Sequence, residues 1–327
     1  MTKSVVAALV AVLAFSAYAE EQQKSEGQSA VKIEDVNGQK NKVSGDIDED
    51  IVNAKMRTDS GSKSKWSLSA SMNYQGGSVE NAFGQERPNI KGTPDQQLNS
   101  NFELGPSVRY RWNKNDSVTV GTLMSMNSPL APSLGTNPQT GKSPDRMDFL
   151  DPNVYYNHAG KIGGLQTIVS VGTWYGTSNE SRSIDRLGYY DGQFTLLKTW
   201  KNGLSVGTLF EGTYYTYATN PGSNLAGASN SYGHDSRQEW ELAIYPYVEY
   251  QMTDRYFLRT IFGYFNWEHL YGDPEKARML QEFVYQSVGV GIVINRDFYL
   301  YPNIQFMPGD LNSKLTNVAL SANMNVF

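Results

Sequence analysis

Between Gln238 and Tyr250 the chain alternates apolar and polar positions with a period of two. One parity reads Trp240, Leu242, Ile244, Pro246, Val248 and Tyr250; the other reads Glu239, Glu241, Ala243, Tyr245, Tyr247 and Glu249. Side chains of a β-strand point alternately to its two faces, so this segment has one oily face with an aromatic at each end and one face bearing carboxylates. An apolar stripe about as tall as a hydrocarbon core, backed by charge, suits a strand with lipid outside and water inside. The pattern recurs from Lys65 onward. Trp66, Leu68, Ala70, Met72 and Tyr74 alternate with Ser67, Ser69, Ser71 and Asn73. Phe102, Leu104, Pro106, Val108, Tyr110 and Trp112 oppose Glu103, Ser107, Arg109 and Arg111, and Val118, Val120, Thr122, Met124 and Met126 mark a third strand. Segments near 150–158, 165–176, 189–200, 204–217, 238–251, 255–267, 282–294, 297–307 and 315–327 bring the expected strands to twelve.

The connections alternate as well. Asn113–Asp116, Gly160–Gly164, Lys201–Gly203, Thr253-Asp254 and Asn295-Arg296 are short turns of suitable residues, whereas 76–101, 127–149, 177–188, 218–237 and 268–281 are long and polar, with a shorter loop near 308–314. A soluble Greek-key sandwich has no reason to keep that rhythm. An up-and-down membrane barrel keeps short turns on the periplasmic side and longer loops outside, and an even strand count returns both ends to one side. By this scheme Trp66, Trp112 and Trp200 lie at periplasmic strand ends and Trp174, Trp240 and Trp267 at external ends, the two levels where amphipathic aromatics gather. The fold class expected is all-β: a transmembrane up-and-down antiparallel β-barrel of about twelve strands over 65–327.

The amino-terminal stretch predicts a signal peptide over 1–19. Lys3 precedes an apolar run, Val5–Phe15, too short to cross a membrane as a helix, and Ala17-Tyr18-Ala19 offers small residues for cleavage after Ala19. Residues 20–64 are polar, rich in Gln, Lys, Ser and Asp, and read as a flexible periplasmic extension. Within it Ile47, Ile51 and Ala54 fall at helical spacing over Asp46–Arg57, either a small plug or docking helix or a tethered linker with nascent helix.

The chain ends on Leu315–Val326 followed by Phe327. In this it resembles bacterial outer-membrane β-barrel proteins of porin-like type, whose last strand ends in Phe and serves as an assembly signal. The resemblance implies the bacterial outer membrane, its lipid, and the barrel-assembly machinery as partners, the last through the strand ending at Phe327. The phase departs from that type: Ser321, Asn323 and Asn325 align with Phe327, while Val318, Leu320, Ala322, Met324 and Val326 take the other parity. A bulge near the terminus or a less standard recognition would reconcile the two.

The chain of 327 residues has no cysteine, so disulfides and thiolate chemistry are excluded, and after the leader no apolar run is long enough for a spanning helix. Net charge is −5, with no basic patch interleaved with aromatics, which argues against nucleic acid. No cofactor is expected. The inner parity assigns Glu103, Arg109, Arg111, Asp151, Asp191, Glu211, Glu239, Glu241, Glu249 and Arg259 to the lumen. Charges of both signs there either keep a passage wet for small polar solutes or pair across the lumen and seal it. The acids of the later strands should form one acidic wall, with the arginines drawing anionic groups elsewhere. Proline-containing loops, with Pro88, Pro94, Pro129, Pro132, Pro138 and Pro144, are long enough to fold into the mouth.

Catalysis has one candidate motif. His234-Asp235-Ser236 has the His-x-Ser spacing of twelve-stranded outer-membrane phospholipases, but Arg237-Gln238 stands where that family continues Asn-Gly. His158, His234 and His269 form no metal-ligand spacing. The chain is therefore expected not to be an enzyme. The smooth outer parity of the first, third and last strands (Ala70, Met72, Val120, Thr122, Met124, Ala322 and Met324) suggests a homo-oligomer contact along one seam.

Overall fold

The computed structural model describes residues 45–88, 90, 98–130, 146–220, 237–263, 265–272, 278–279 and 285–326. The expected leader and its cleavage point, residues 20–44, Pro94, Pro132, Pro138, Pro144, His234, Ser236 and Phe327 lie outside them.

Twelve antiparallel strands follow one another around a closed barrel. They are β1 (Trp66–Ser78), β2 (Asn101–Arg111), β3 (Asp116–Gly121, continued by Met124–Asn127), β4 (Met147–Phe149, continued by Asn153–Ile162), β5 (Leu165–Tyr175) and β6 (Arg186–Thr199). The second half comprises β7 (Leu204–Tyr217), β8 (Gln238–Gln251), β9 (Tyr256–Gly263, continued by Phe265–Leu270), β10 (Arg278–Met279, then Tyr285–Asn295), β11 (Phe298–Phe306) and β12 (Asn317–Asn325). Each pairs with its chain neighbours, and β12 closes on β1 from Ser69 opposite Asn325 to Gln75 opposite Ala319. Closure leaves no open edge, the condition for crossing a bilayer with strands. No described helix is long and apolar enough to cross.

Turn chemistry explains the tight connections. Gly163 and Gly164 both take positive φ, +57° and +81°, in the two-residue link where Ile162 pairs with Leu165. Two successive left-handed residues match the twist of the flanking strands and suit glycine.

Three prolines fall within spanning strands, each where the ladder to one of its two neighbours is broken. Pro246 lies between the Ile244–Phe265 and Tyr247–Ile261 pairings of β8 with β9. Pro106 lies between Leu104–Met124 and Ser107–Gly121, and Pro302 between Leu300–Ile292 and Asn303–Gly289. A residue without an N–H is tolerated at such gaps.

The outward parity carries the exposed apolar belt: Trp66, Leu68, Val108, Val120, Val171, Val206, Leu242, Leu258, Ile304 and Leu320 all face away from the interior, while Ser67, Arg111, Glu249 and Arg259 on the other parity are buried. So large a ring of exposed apolar side chains is a liability in water and a fit in lipid. Trp112 and Trp200 join Trp66 as exposed rings at the short-turn end. Trp174 differs from the sequence expectation: it lies at the external end but turns inward, because the outward parity of β5 is set by Val171 and Tyr175.

The pairing of β12 with β11 is unshifted from Phe298–Met324 to Gln305–Asn317. The shift in the pairing of β12 with β1 falls at Gln75–Ser78, opposite Asn317–Ala319, away from the terminus, so no bulge resets the phase of Asn323 and Asn325, which face the lumen.

Candidate functional site

The lumen is built in two levels. Its lower level, at the short-turn end, is filled by residues 45–64 of the chain itself. A 3-10 turn, Ile47–Glu49, is capped by the Asp46 side chain, and a short helix α1, Ala54–Asp59, by Asn53, whose Oδ1 accepts the Met56 N–H. Ile47, Ile51 and Met56 are buried in one cluster with Ala159, Leu197 and Tyr247 of the barrel wall. The apolar spacing legible in the sequence thus packs inward on β4, β6 and β8.

Polar contacts then tie both ends of the segment to the wall. At its start, the Gln166 Oε1 accepts the Val52 and Asn53 N–H groups at 2.7 and 2.8 Å, and Asn53 Nδ2 donates to Glu249 Oε1 at 2.6 Å. At the end of α1 the barrel meets the last carbonyls: Asn325 donates to Thr58 O, which also takes the Gly61 N–H, while Arg109 donates to Asp59 O, Arg111 to Ser60 O and Arg296 to Gly61 O. Asn323 donates to the Asp59 carboxylate. Positive side chains at the carboxyl end and the Glu249 carboxylate at the amino end also follow the helix dipole. Gly61 has φ +86°, and an added Cβ would lie 2.1 Å from an Arg109 nitrogen, so the close approach requires glycine.

The short turns clamp the same segment from below. Lys114 pairs with Asp50 at 2.8 Å, Arg296 with Asp48 at 3.0 Å, and Lys161 donates to the Glu49 carbonyl. Lys63 bridges Asp46 and Asp48 at 2.7 and 3.0 Å. The Lys63 hydrogen bond, reinforced by the Asp48 N–H, holds the Asp46 carboxyl below its usual range, and Asp46 in turn raises Lys63.

Of the ten charged positions assigned to the lumen from sequence, four belong to this lower level. Arg109 and Arg111 hold backbone carbonyls of residues 59 and 60, and Glu249 and Arg259 face each other across β8–β9 at 3.3 Å. Arg259 sits between the Tyr247 and Tyr301 rings, at 4.3 and 5.7 Å from their centroids. It lies beside the acidic wall rather than opposite it.

The upper level collects the acids. Glu211 accepts from Gln193, Glu241 from Asn266, and Asp191 from Tyr155 and Thr213. Asp151 receives the Thr177 and Ser178 N–H groups and the Ser181 hydroxyl, and so anchors the loop that carries α2 (Asn179–Ser183). Glu103 accepts from Asn101 on its own strand, and Glu239 meets His269 at 2.8 Å at the rim. A cavity of about 350 Å³ opens among Asp151, Asp191, Glu211 and Glu241, the Arg186 guanidinium, and the rings of Tyr155, Trp174, Tyr189 and Tyr215. A second, of about 330 Å³, lies directly over α1 between Asp59, Arg109, Ser170, Gln193 and Asn323. Among the described residues no group of three or more His, Asp or Glu comes together as a metal site. Sequence reasoning missed Gln166, Arg296, Asn323 and Asn325 as holders of this segment; the polar phase of the last strand was the signal for Asn323 and Asn325, and nothing in the sequence marked Gln166 or Arg296.

No known sequence family and no curated protein matches the chain. Among solved structures, an outer membrane channel from Pseudomonas putida F1 superposes with a TM-score of 0.49 at 10% identity, over 82% of this chain and 98% of that one. The NanC porin gives 0.42 at 12% identity over 80% and 100%, and the outer membrane phospholipase A from Escherichia coli 0.35 at 11% over 79% and 92%.

Proposed function

We propose that this outer-membrane barrel is a channel for passive diffusion of small hydrophilic solutes, with residues 45–64 acting as a plug at its periplasmic mouth. The observation that carries the reading is a pair of polar cavities above α1 that share Gln193 on their linings, the upper one walled by Asp151, Asp191, Glu211 and Glu241 and the lower one by Arg109 and Asp59. A barrel meant only as a wall gains nothing from keeping cavities above its seal, because a side-chain-filled interior is more stable. The seat is formed largely of hydrogen bonds and ion pairs, each worth little net once water can replace it. Such a seat can release and re-form. Outside the barrel the partner is membrane lipid, and the smooth seam of β1, β3 and β12 is proposed as a contact between copies.

A closed structural or surface-interaction barrel is the second reading, and the many plug contacts favour it. Planar-bilayer recording of the purified protein separates the two. The channel reading expects discrete conductance steps in the intact protein and longer openings in an Arg109→Ala/Arg296→Ala variant. No steps from either protein would leave the closed barrel standing. Lipid hydrolysis would require activity that disappears on Ser236→Ala.

A further inference from the structure

The external cavity has two unlike walls. On one, aromatic rings form a ladder: Trp174 stacks on Tyr189 at 5.3 Å between centroids and 15°, and Tyr189 meets Tyr215 at 5.4 Å. Their polar edges are partly spoken for, since Trp174 Nε1 donates to the Tyr155 hydroxyl and that hydroxyl donates to Asp191. What remains is the ring surface that lines the cavity. They already carry one cation: the Arg186 guanidinium lies 5.6 and 5.7 Å from the Tyr189 and Tyr215 centroids, tethered to Glu180 at 3.0 Å. Rings in this position therefore accept a planar cation.

The other wall holds Asp191 and Glu241, neither of which is in an ion pair among the described residues. Asp191 is 6% exposed, and its side chain accepts from the Tyr155 and Thr213 hydroxyls and from the Gly192 N–H. Glu241 accepts an amide proton from Asn266 and is in no ion pair among the described residues. A carboxylate so buried is unfavourable without a counter-charge, and an arriving cation relieves that. Arg186 lines the same cavity, but its Nε and Nη2 are engaged by the Ser181 hydroxyl and Glu180 rather than by Asp191 or Glu241.

We infer that the external vestibule is a binding subsite for small organic cations, amines or guanidines. The charged head sits against Asp191 and Glu241, and the flat or aliphatic remainder lies on the Trp174–Tyr189–Tyr215 ladder. The cavity, at about 350 Å³, matches the small end of ligand pockets. An anion meets repulsion. A neutral sugar gains stacking but leaves the carboxylates uncompensated. The inference rests on the channel reading for its place on a solute path, whereas binding itself does not require the plug to move.

Isothermal titration of the full-length protein in detergent micelles tests it, with agmatine as the probe and arabinose as a neutral probe of similar size. Saturable agmatine binding is expected, weakened about tenfold or more in the isosteric Asp191→Asn/Glu241→Gln variant and again in Tyr189→Leu, with no saturable heat from arabinose. Thermal unfolding of each variant establishes that the barrel is intact. Absence of agmatine binding to the intact protein, unchanged affinity in the Asp191→Asn/Glu241→Gln variant, or equal affinity for arabinose would each overturn the inference. Agmatine binding without bilayer conductance would retain the subsite and remove the channel; conductance without agmatine binding would do the reverse.

Discussion

Arg109, Arg111 and Arg296 each turn a guanidinium onto a backbone carbonyl of residues 59–61. Their charge and parity mark Arg109 and Arg111 as interior from sequence, but a charge pattern suggests acidic partners, and backbone oxygens carry no letter in a sequence. The partners became visible only with the fold. The exposed Asp46–Lys63 pair adds a pH dependence whose sign follows from its shifts. Asp46, held below its usual value of 3.8, stabilises the docked segment above that value and loses its contribution as pH falls through the lowered one. Lys63, held above its usual 10.5, contributes below that value and loses it as pH rises through the raised one. Because both partners lie in residues 45–64, the fold of that segment should be flat with pH near neutrality and loosen at the acid extreme, by a small amount because the pair is exposed. Limited proteolysis of residues 45–64 across the acid range should show this, and Asp46→Asn should remove its contribution to the acid step.

At the scale of elements, period-two alternation and turn residues made the strands legible, since burial of one face and lipid on the other act on every second residue alike. Trp174 escaped that logic because its position at a strand end was read without the parity of Val171 and Tyr175. The last strand escaped it in a more informative way: Asn323 and Asn325 are polar because they bind α1, not because the strand is bulged. A six-residue helix is too short to persist alone, so α1 depends on its seat. Met56, fully buried against the wall, should carry much of that dependence. Met56→Ala is expected to weaken docking by about 2–4 kcal/mol, and to speed hydrogen exchange of amides 56–61 by roughly 30-fold or more, without changing exchange in the strands.

For the whole molecule, the reversal of ordinary globular polarity sets the address: an apolar belt outside a wet, charged interior belongs in the bacterial outer membrane. What fills the interior could not be read from the strands, because a barrel of twelve sits between those packed with side chains and those left open. The lumen here is divided, filled below by the chain's own amino-terminal segment and hollow above. The most direct test uses the absence of native cysteine. Cysteines placed at Asp59 and Asn323, whose side chains touch across the plug seat, can be bridged by a short reducible bis-thiosulfonate. Single-channel recording of the bridged protein should give no conductance steps, and adding reductant to the same bilayer should restore those of the unbridged protein. Steps of equal size and frequency before and after reduction would contradict a plug at the periplasmic mouth.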